Sequence, residues 1–183
     1  MKIIKNILYL LLDGVIGLAH FFYKMEGVNM FLLFLPAEML VKTLRRYGAA
    51  IGENVDIRAP LIIHNAEEGY ENLIVGNDCH FGKDIFLDLK DQIQIGDRVI
   101  LSMRTTLITH MHVGRSKLNE RFPPTHAPIQ IESDVYLGVN ATILQGVRIG
   151  ESVLIGACSL VLKDVPSKTI VAGSPAKEIK KSV

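Results

Sequence analysis

The sequence predicts an all-β parallel β-helix, a solenoid of short flat strands wound into a triangular prism. Three observations predict it. Aliphatic residues recur at every sixth position in the run Ile131, Leu137, Ile143, Ile149, Ile155 and Val161. A second small or apolar position follows each by four residues, at Val135, Ala141, Val147, Val153, Ser159 and Val165. Glycine follows the first position directly in Leu137-Gly138, Ile149-Gly150 and Ile155-Gly156. A period of six matches neither the helical period nor strand alternation alone. It matches hexapeptide coils in which six residues make one flat side and three sides make a turn. A single coil has no core of its own, but neighbours above and below supply one, so each inward aliphatic becomes a rung of a ladder. Alternating strands of an ordinary β-sandwich do not hold one six-residue phase over so many repeats.

The elements follow in chain order. Residues 1–50 lack the six-residue phase and are unusually apolar. The stretch from Ile7 to Tyr23 resembles a membrane span, but Asp13 and His20 interrupt it and it is slightly short. Lys2 and Lys5 before an apolar run resemble a signal peptide, yet Asp13 cuts the apolar core early and no small-x-small cleavage site follows. A second helix is predicted from Ala37 to Tyr47. Leu40, Val41 and Leu44 share one face, Lys42, Arg45 and Arg46 lie toward the C-terminal end, and Gly48 is placed to stop the helix. Two readings stand for this region: a helical cap over the open end of the solenoid, or an interfacial membrane anchor with basic residues toward lipid headgroups. We read it as a cap with membrane affinity, giving peripheral membrane contact through residues 1–50.

The solenoid is expected over residues 51–172. Ile51, Ile57, Val75, Phe81 and Leu87 share one phase, while Ile95, Leu101 and Leu107 are in phase with Ile131. The two sets are offset by two residues near Asp91-Gln92. Two segments break the repeat. One is the polar excursion from His64 to Leu73; the other is a charged, proline-bearing loop over residues 112–128. Long loops on rigid scaffolds are common seats of chemistry. Residues 173–183 form a C-terminal tail.

Composition narrows the function. The chain has 183 residues and a formal net charge of +1, which argues against a nucleic-acid partner. There is no Trp, as suits a narrow core. Cys79 falls on an inward position and reads as a buried free thiol; Cys158 does not. Neither implies a disulfide framework or a cysteine-rich zinc site.

The run Leu107-Ile108-Thr109-His110-Met111-His112 enters the long loop. The C-terminal run Ile155-Gly-Ala-Cys-Ser-Leu-Val-Leu-Lys-Asp-Val-Pro166 is followed by Ile170-Val-Ala-Gly-Ser-Pro-Ala-Lys177. With the hexapeptides, these motifs make residues 45 to 181 similar to the left-handed β-helix acyltransferases. Within them the chain most resembles the sugar O-acetyltransferases, including galactoside, maltose and polysaccharide O-acetyltransferases. The resemblance implies left-handed crossovers, acetyl-CoA as acyl donor, no metal, and a homotrimer with the donor groove between subunits. It implies a sugar or glycan acceptor, and a role in polysaccharide biosynthesis. The apolar N-terminus adds the expectation that the acceptor is lipid-linked, and that the enzyme is cytoplasmic and peripheral at the inner face of the membrane.

The resemblance implies that His110 is the catalytic base. An imidazole titrating near neutrality accepts the proton of an attacking hydroxyl and returns it to the departing thiolate. An orienting carboxylate is expected on its other nitrogen; Asp88 is the candidate and Asp91 the rival. The loop residues His112, Arg115, Arg121 and His126 are candidate acceptor contacts. Matched by motif to the family, Val139 falls where backbone meets the pantetheine arm, and Ala157, Leu162 and Lys163 fall on the next coil of the same wall. Lys177 and Lys180 would meet the nucleotide phosphates as point charges. Three alternatives remain: N-acetylation of an amino or nucleotide sugar, a zinc lyase of the γ-carbonic anhydrase type using His80, His110 and His112, and a non-enzymatic scaffold. The spacing of those three histidines departs from the lyase pattern. The serine acetyltransferases are disfavoured because Leu89 stands where they place a histidine.

Overall fold

The computed structural model describes residues 2–181, which form a left-handed parallel β-helix with a helical cap. Three sheets make its sides. The first stacks strands Ala50–Ile51, Leu73–Val75, Ile93–Ile95, Ile129–Ile131 and Arg148–Ile149. The second begins with Asp56–Ile57 and runs through His80–Phe81, Ile100–Leu101, Tyr136–Leu137, Leu154–Ile155 and Thr169–Ala172. The third stacks Leu61–His64, Ile85–Asp88, Thr106–Leu107, Thr142–Ile143 and Leu160–Val161.

Register follows the ladder. Ile57, Phe81, Leu101, Leu137, Ile155 and Val171 lie directly over one another on the second side. Ile63, Leu87, Leu107, Ile143 and Val161 do so on the third. Most of these side chains are fully buried. Each burial of an aliphatic of this size contributes roughly 1.5–3 kcal/mol. The C-terminal tail adds strand Lys177–Lys181, antiparallel to Thr169–Ala172, so the end of the second sheet is covered by the chain's own last residues.

Two of the three prism edges are regular. Between the first and second sides the chain always takes six residues. There Asn54, Asp78, Arg98, Asp134 and Ser152 each adopt a positive φ of 55 to 61°, a left-handed turn that Asn and Asp tolerate better than other side chains. Side chains zip this edge: Glu53 N donates to Asn77 Oδ1 (2.9 Å), Asn77 N to Asp97 Oδ1 (2.6 Å) and Asp97 N to Ser133 Oγ (3.1 Å). The edge between the second and third sides is equally regular. At Gly138 a Cβ would sit 2.5 Å from Ala157 N, so only glycine lets these two coils stack.

The third edge is different. Ile63 to Val75, Leu87 to Ile95 and Leu107 to Ile131 each exceed six residues, and only Ile143 to Ile149 keeps the count. The two breaks and the offset in the sequence pattern thus lie one above another along a single edge.

Helix α1 (Lys2–Leu32) and helix α2 (Ala37–Arg46) close the N-terminal end. α1 bends sharply at Lys24, whose φ is 53°. Gly27 makes the bend possible, because a Cβ there would meet the Ala19 carbonyl oxygen at 2.4 Å. After the bend, Met25, Val28, Leu32, Leu35, Met39, Leu40 and Leu44 are buried over the first coil, and Tyr70 Oη donates to Asn29 Oδ1 at 2.7 Å. Before the bend, Ile16 is the only buried residue between Ile3 and Lys24. α2 matches its sequence expectation, with Gly48 beyond its end at φ 106°.

Candidate active site

The irregular edge gathers the candidate catalytic residues. Strand Ile85–Asp88 ends at Asp88, and the two-residue offset that follows lets its carboxylate face the next coil instead of solvent. Asp88 is 1% exposed. Its Oδ2 accepts from Thr109 N (2.9 Å), His110 N (3.0 Å) and His110 Nδ1 (2.5 Å). Its Oδ1 accepts from Asn65 Nδ2 at 2.7 Å. Thr109 is buried as well; its hydroxyl donates to the Asp88 carbonyl (2.7 Å) and accepts from Asp91 N (3.0 Å). The Thr109-His110 pair is therefore one device: the threonine fixes the backbone around the offset and the histidine takes the carboxylate.

Burial works to raise the Asp88 pKa. Hydrogen bonds from His110 and Asn65, the His110 charge and the Thr109 amide outweigh it and hold the carboxyl below its ordinary value. An ionised Asp88 assigns the proton of His110 to Nδ1 and leaves Nε2 as the basic nitrogen. The imidazole is about a quarter exposed and lines a pocket of about 310 Å³ with Asn65, Lys90, Met111, His112, Thr125 and His126.

The 112–128 segment is more ordered than a plain loop. Strands His110–Met111 and Thr125–His126 pair antiparallel, with a 3-10 turn at Lys117–Glu120 beyond them. Gln145 Nε2 donates to Thr125 Oγ1 at 2.8 Å and ties the returning strand to the solenoid. His110 and His126 are direct cross-strand partners, so their side chains share one face of the ribbon. Asp91 does not orient His110; it lies 2.7 Å from His126 Nδ1, because the offset turns it toward the arm and away from the preceding coil. His112 and His126 border the pocket, whereas Arg115 and Arg121 do not; Arg121 stacks over Phe122 farther out on the arm.

The donor candidates divide. Leu162, Lys163 and Lys177 line one groove of about 430 Å³, with Pro166, Pro175 and Ala176. Asp164 and Glu178 share that lining, so the groove combines an apolar wall with charges of both signs. Val139 and Ala157 lie on a different edge, stacked through Cys158 N to Val139 O at 2.8 Å. Ala157 and Lys163 therefore do not share a wall: six residues carry the chain one full side around the prism. Lys180 sits opposite Ile170 on the last strand; its side chain lies outside the described part of the structure. His80 is on the second sheet, 3.1 Å from Asp56, so His80, His110 and His112 do not converge, and among the described residues no group of three His, Cys, Asp or Glu is placed to hold a metal ion.

Asn65 and Lys90 were not legible as site residues. Asn65 lies 45 positions before His110, on another phase break, and takes a positive φ of 55°. The signal that finds it is the coincidence of the breaks on one edge.

Residues 128–163 match the bacterial transferase hexapeptide (six repeats) family. A 2,3,4,5-tetrahydropyridine-2,6-dicarboxylate N-acetyltransferase from Enterococcus faecalis is 32% identical over 172 residues, covering 73% of either chain. A galactoside O-acetyltransferase from Lactococcus lactis is 33% identical over 144 residues, covering 75% of this chain and 65% of its own. A hexapeptide-repeat-containing acetyltransferase from Vibrio cholerae, solved in complex with acetyl-CoA, superimposes with a TM-score of 0.75 at 26% identity, over 85% of this chain and 83% of that one.

Proposed function

Since this chain belongs to the hexapeptide-repeat acetyltransferases, which use acetyl-CoA as donor, we propose that it acetylates a hydroxyl of a sugar or glycan by direct transfer, with His110 as general base. The observation that carries this reading is the 2.5 Å contact between Asp88 Oδ2 and His110 Nδ1. It leaves Nε2 free on the pocket side.

The chemistry follows from that arrangement. Acetyl-CoA supplies the acetyl group as a thioester. His110 Nε2 takes the hydroxyl proton as the acceptor oxygen forms its bond to the acetyl carbon. The resulting imidazolium, steadied by the ionised Asp88, returns that proton to the sulfur as the carbon–sulfur bond breaks. No group of the chain is acylated on the way. Asn65 and Thr109 hold Asp88, and so hold the ring.

Leu162, Lys163 and Lys177 are assigned to the donor. Val139 and Ala157 lie on an edge separate from the His110 pocket, which supports a homotrimer in which this edge of one subunit completes the site of its neighbour. We place the reaction in the cytoplasm, consistent with Cys79 and Cys158 both being free thiols.

The test is acetyl-CoA consumption with a panel of free sugars, nucleotide sugars and glycan intermediates, beside His110→Ala. Sugar-dependent thiol release that vanishes in His110→Ala supports the reading; equal release by both proteins defeats it. A second reading, transfer to an amino group, is favoured by the Enterococcus relative. Products cleaved by hydroxylamine are esters, and resistant ones are amides.

A further inference from the structure

The N-terminal half of α1 presents an apolar face that the rest of the chain leaves uncovered. The geometry points to a lipid surface with anionic headgroups as its occupant, with α1 lying in the plane of that surface.

The inward face of this half is settled by its contacts. Lys5 Nζ meets Glu38 at 2.8 Å, Asp13 meets Arg46 at 2.8 Å and Lys42 at 3.6 Å, and His20 packs on Tyr47 at 4.9 Å. Ile16 is buried on the same side. These are the residues that interrupt the apolar run, and all of them turn toward α2 and the turn that follows it.

The outward face is apolar without interruption. Ile4, Ile7, Leu11, Val15, Leu18 and Phe22 follow one another along it and are 51 to 72% exposed. At about 100° per residue, the apolar positions of this half, with Gly14, span an arc of roughly 160° that contains no polar side chain. That is wider than the narrow seam one partner helix covers. Over about 20 residues the face is roughly 30 Å long.

Charge separates lipid from a second copy. The first fifty residues hold six basic and three acidic side chains, although the whole chain carries only +1. The cap is therefore cationic and the solenoid slightly anionic, a polarity that draws the cap to anionic headgroups and repels a second cap. The helix is long and apolar enough to cross a membrane. Crossing, however, would break the three ion pairs to α2 and carry Asp13 into hydrocarbon, which is costly. Lying flat keeps every pair.

Flotation of the full chain with phosphatidylcholine vesicles, with and without phosphatidylglycerol, tests this. The protein is expected to float, and to float better with phosphatidylglycerol. Leu11→Glu/Leu18→Glu should lower the bound fraction about tenfold or more with an unchanged melting curve. Leu11→Ser/Leu18→Ser, a milder change at the same exposed sites, is read beside it and should lower binding in the same direction. A wild-type chain that stays with the soluble fraction on both vesicles overturns the inference. So does binding that neither pair alters, or quantitative cross-linking of Leu11→Cys between copies in solution. Acetyl transfer enters none of these readouts, so they stand apart from the fate of the acetyltransferase reading.

Discussion

Two edges of the same prism behave in opposite ways. Where the first side meets the second, every crossing takes six residues, every turn uses a left-handed residue, and side-chain oxygens accept the backbone amides of the coil below. Where the third side meets the first, three of five crossings carry extra residues, and there a buried carboxylate, two histidines and an asparagine converge. The regular edge shows what stacking alone requires. The irregular edge shows what extra residues allow: Asn65, Asp88 and His110, from three successive coils, meet at one buried carboxylate.

That contrast predicts that the irregular edge governs turnover and the regular faces govern folding. His110→Ala is the largest expected effect: kcat falls on the order of 10²–10⁴-fold, while acetyl-CoA affinity by calorimetry is unchanged and the protein stays folded at the assay temperature, with a modest drop in melting temperature from the buried Asp88 left short of a partner. A large drop in melting temperature would erase the contrast. Asp88→Asn follows, with a loss on the order of 10²-fold or more, since an amide no longer enforces the Nδ1 tautomer; a pH–rate profile beside the wild type separates lost orientation from lost folding. On the regular faces, Leu137→Ala should cost about 2–5 kcal/mol, read from denaturant midpoints, with kcat per folded molecule retained.

A pH series sharpens the picture further. The Asp88 pKa lies below its unfolded value, so its contribution to stability is complete above the ordinary carboxylate range near pH 4. That contribution is lost as the pH falls through the lower, folded value. The difference in melting temperature between wild type and Asp88→Asn should therefore be widest near neutrality and shrink on acidification; a gap independent of pH would contradict it. Smallest of all, Arg98→Ala removes an exposed pair with Asp134 (2.7 Å) on the regular edge and should leave the denaturant midpoint nearly unchanged, because water screens such a pair.

The ladder was legible because it is local and repeated. Ile143 points inward for the same reason as Leu137 and Ile149, and six-residue counting finds all three without coordinates. Thr109-His110 was legible through its resemblance to a known motif. The choice between Asp88 and Asp91 was not, because both sit beside the offset, and a shift of one residue exchanges the buried position for the exposed one. The N-terminal region was half legible. Its apolar character was plain, but cap and anchor competed until the bend at Lys24 assigned Met25 to Leu44 to the cap and left the preceding half outside.

By itself, then, the sequence determined the prism and its inward rungs, since burial imposes the same demand every six residues. Tertiary structure alone decided which carboxylate meets which imidazole, that Asn65 reaches across from another coil, and which side of α1 turns outward. Those outcomes depend on the summed count of extra residues between coils stacked roughly 4.8 Å apart, a quantity that no single window of sequence contains.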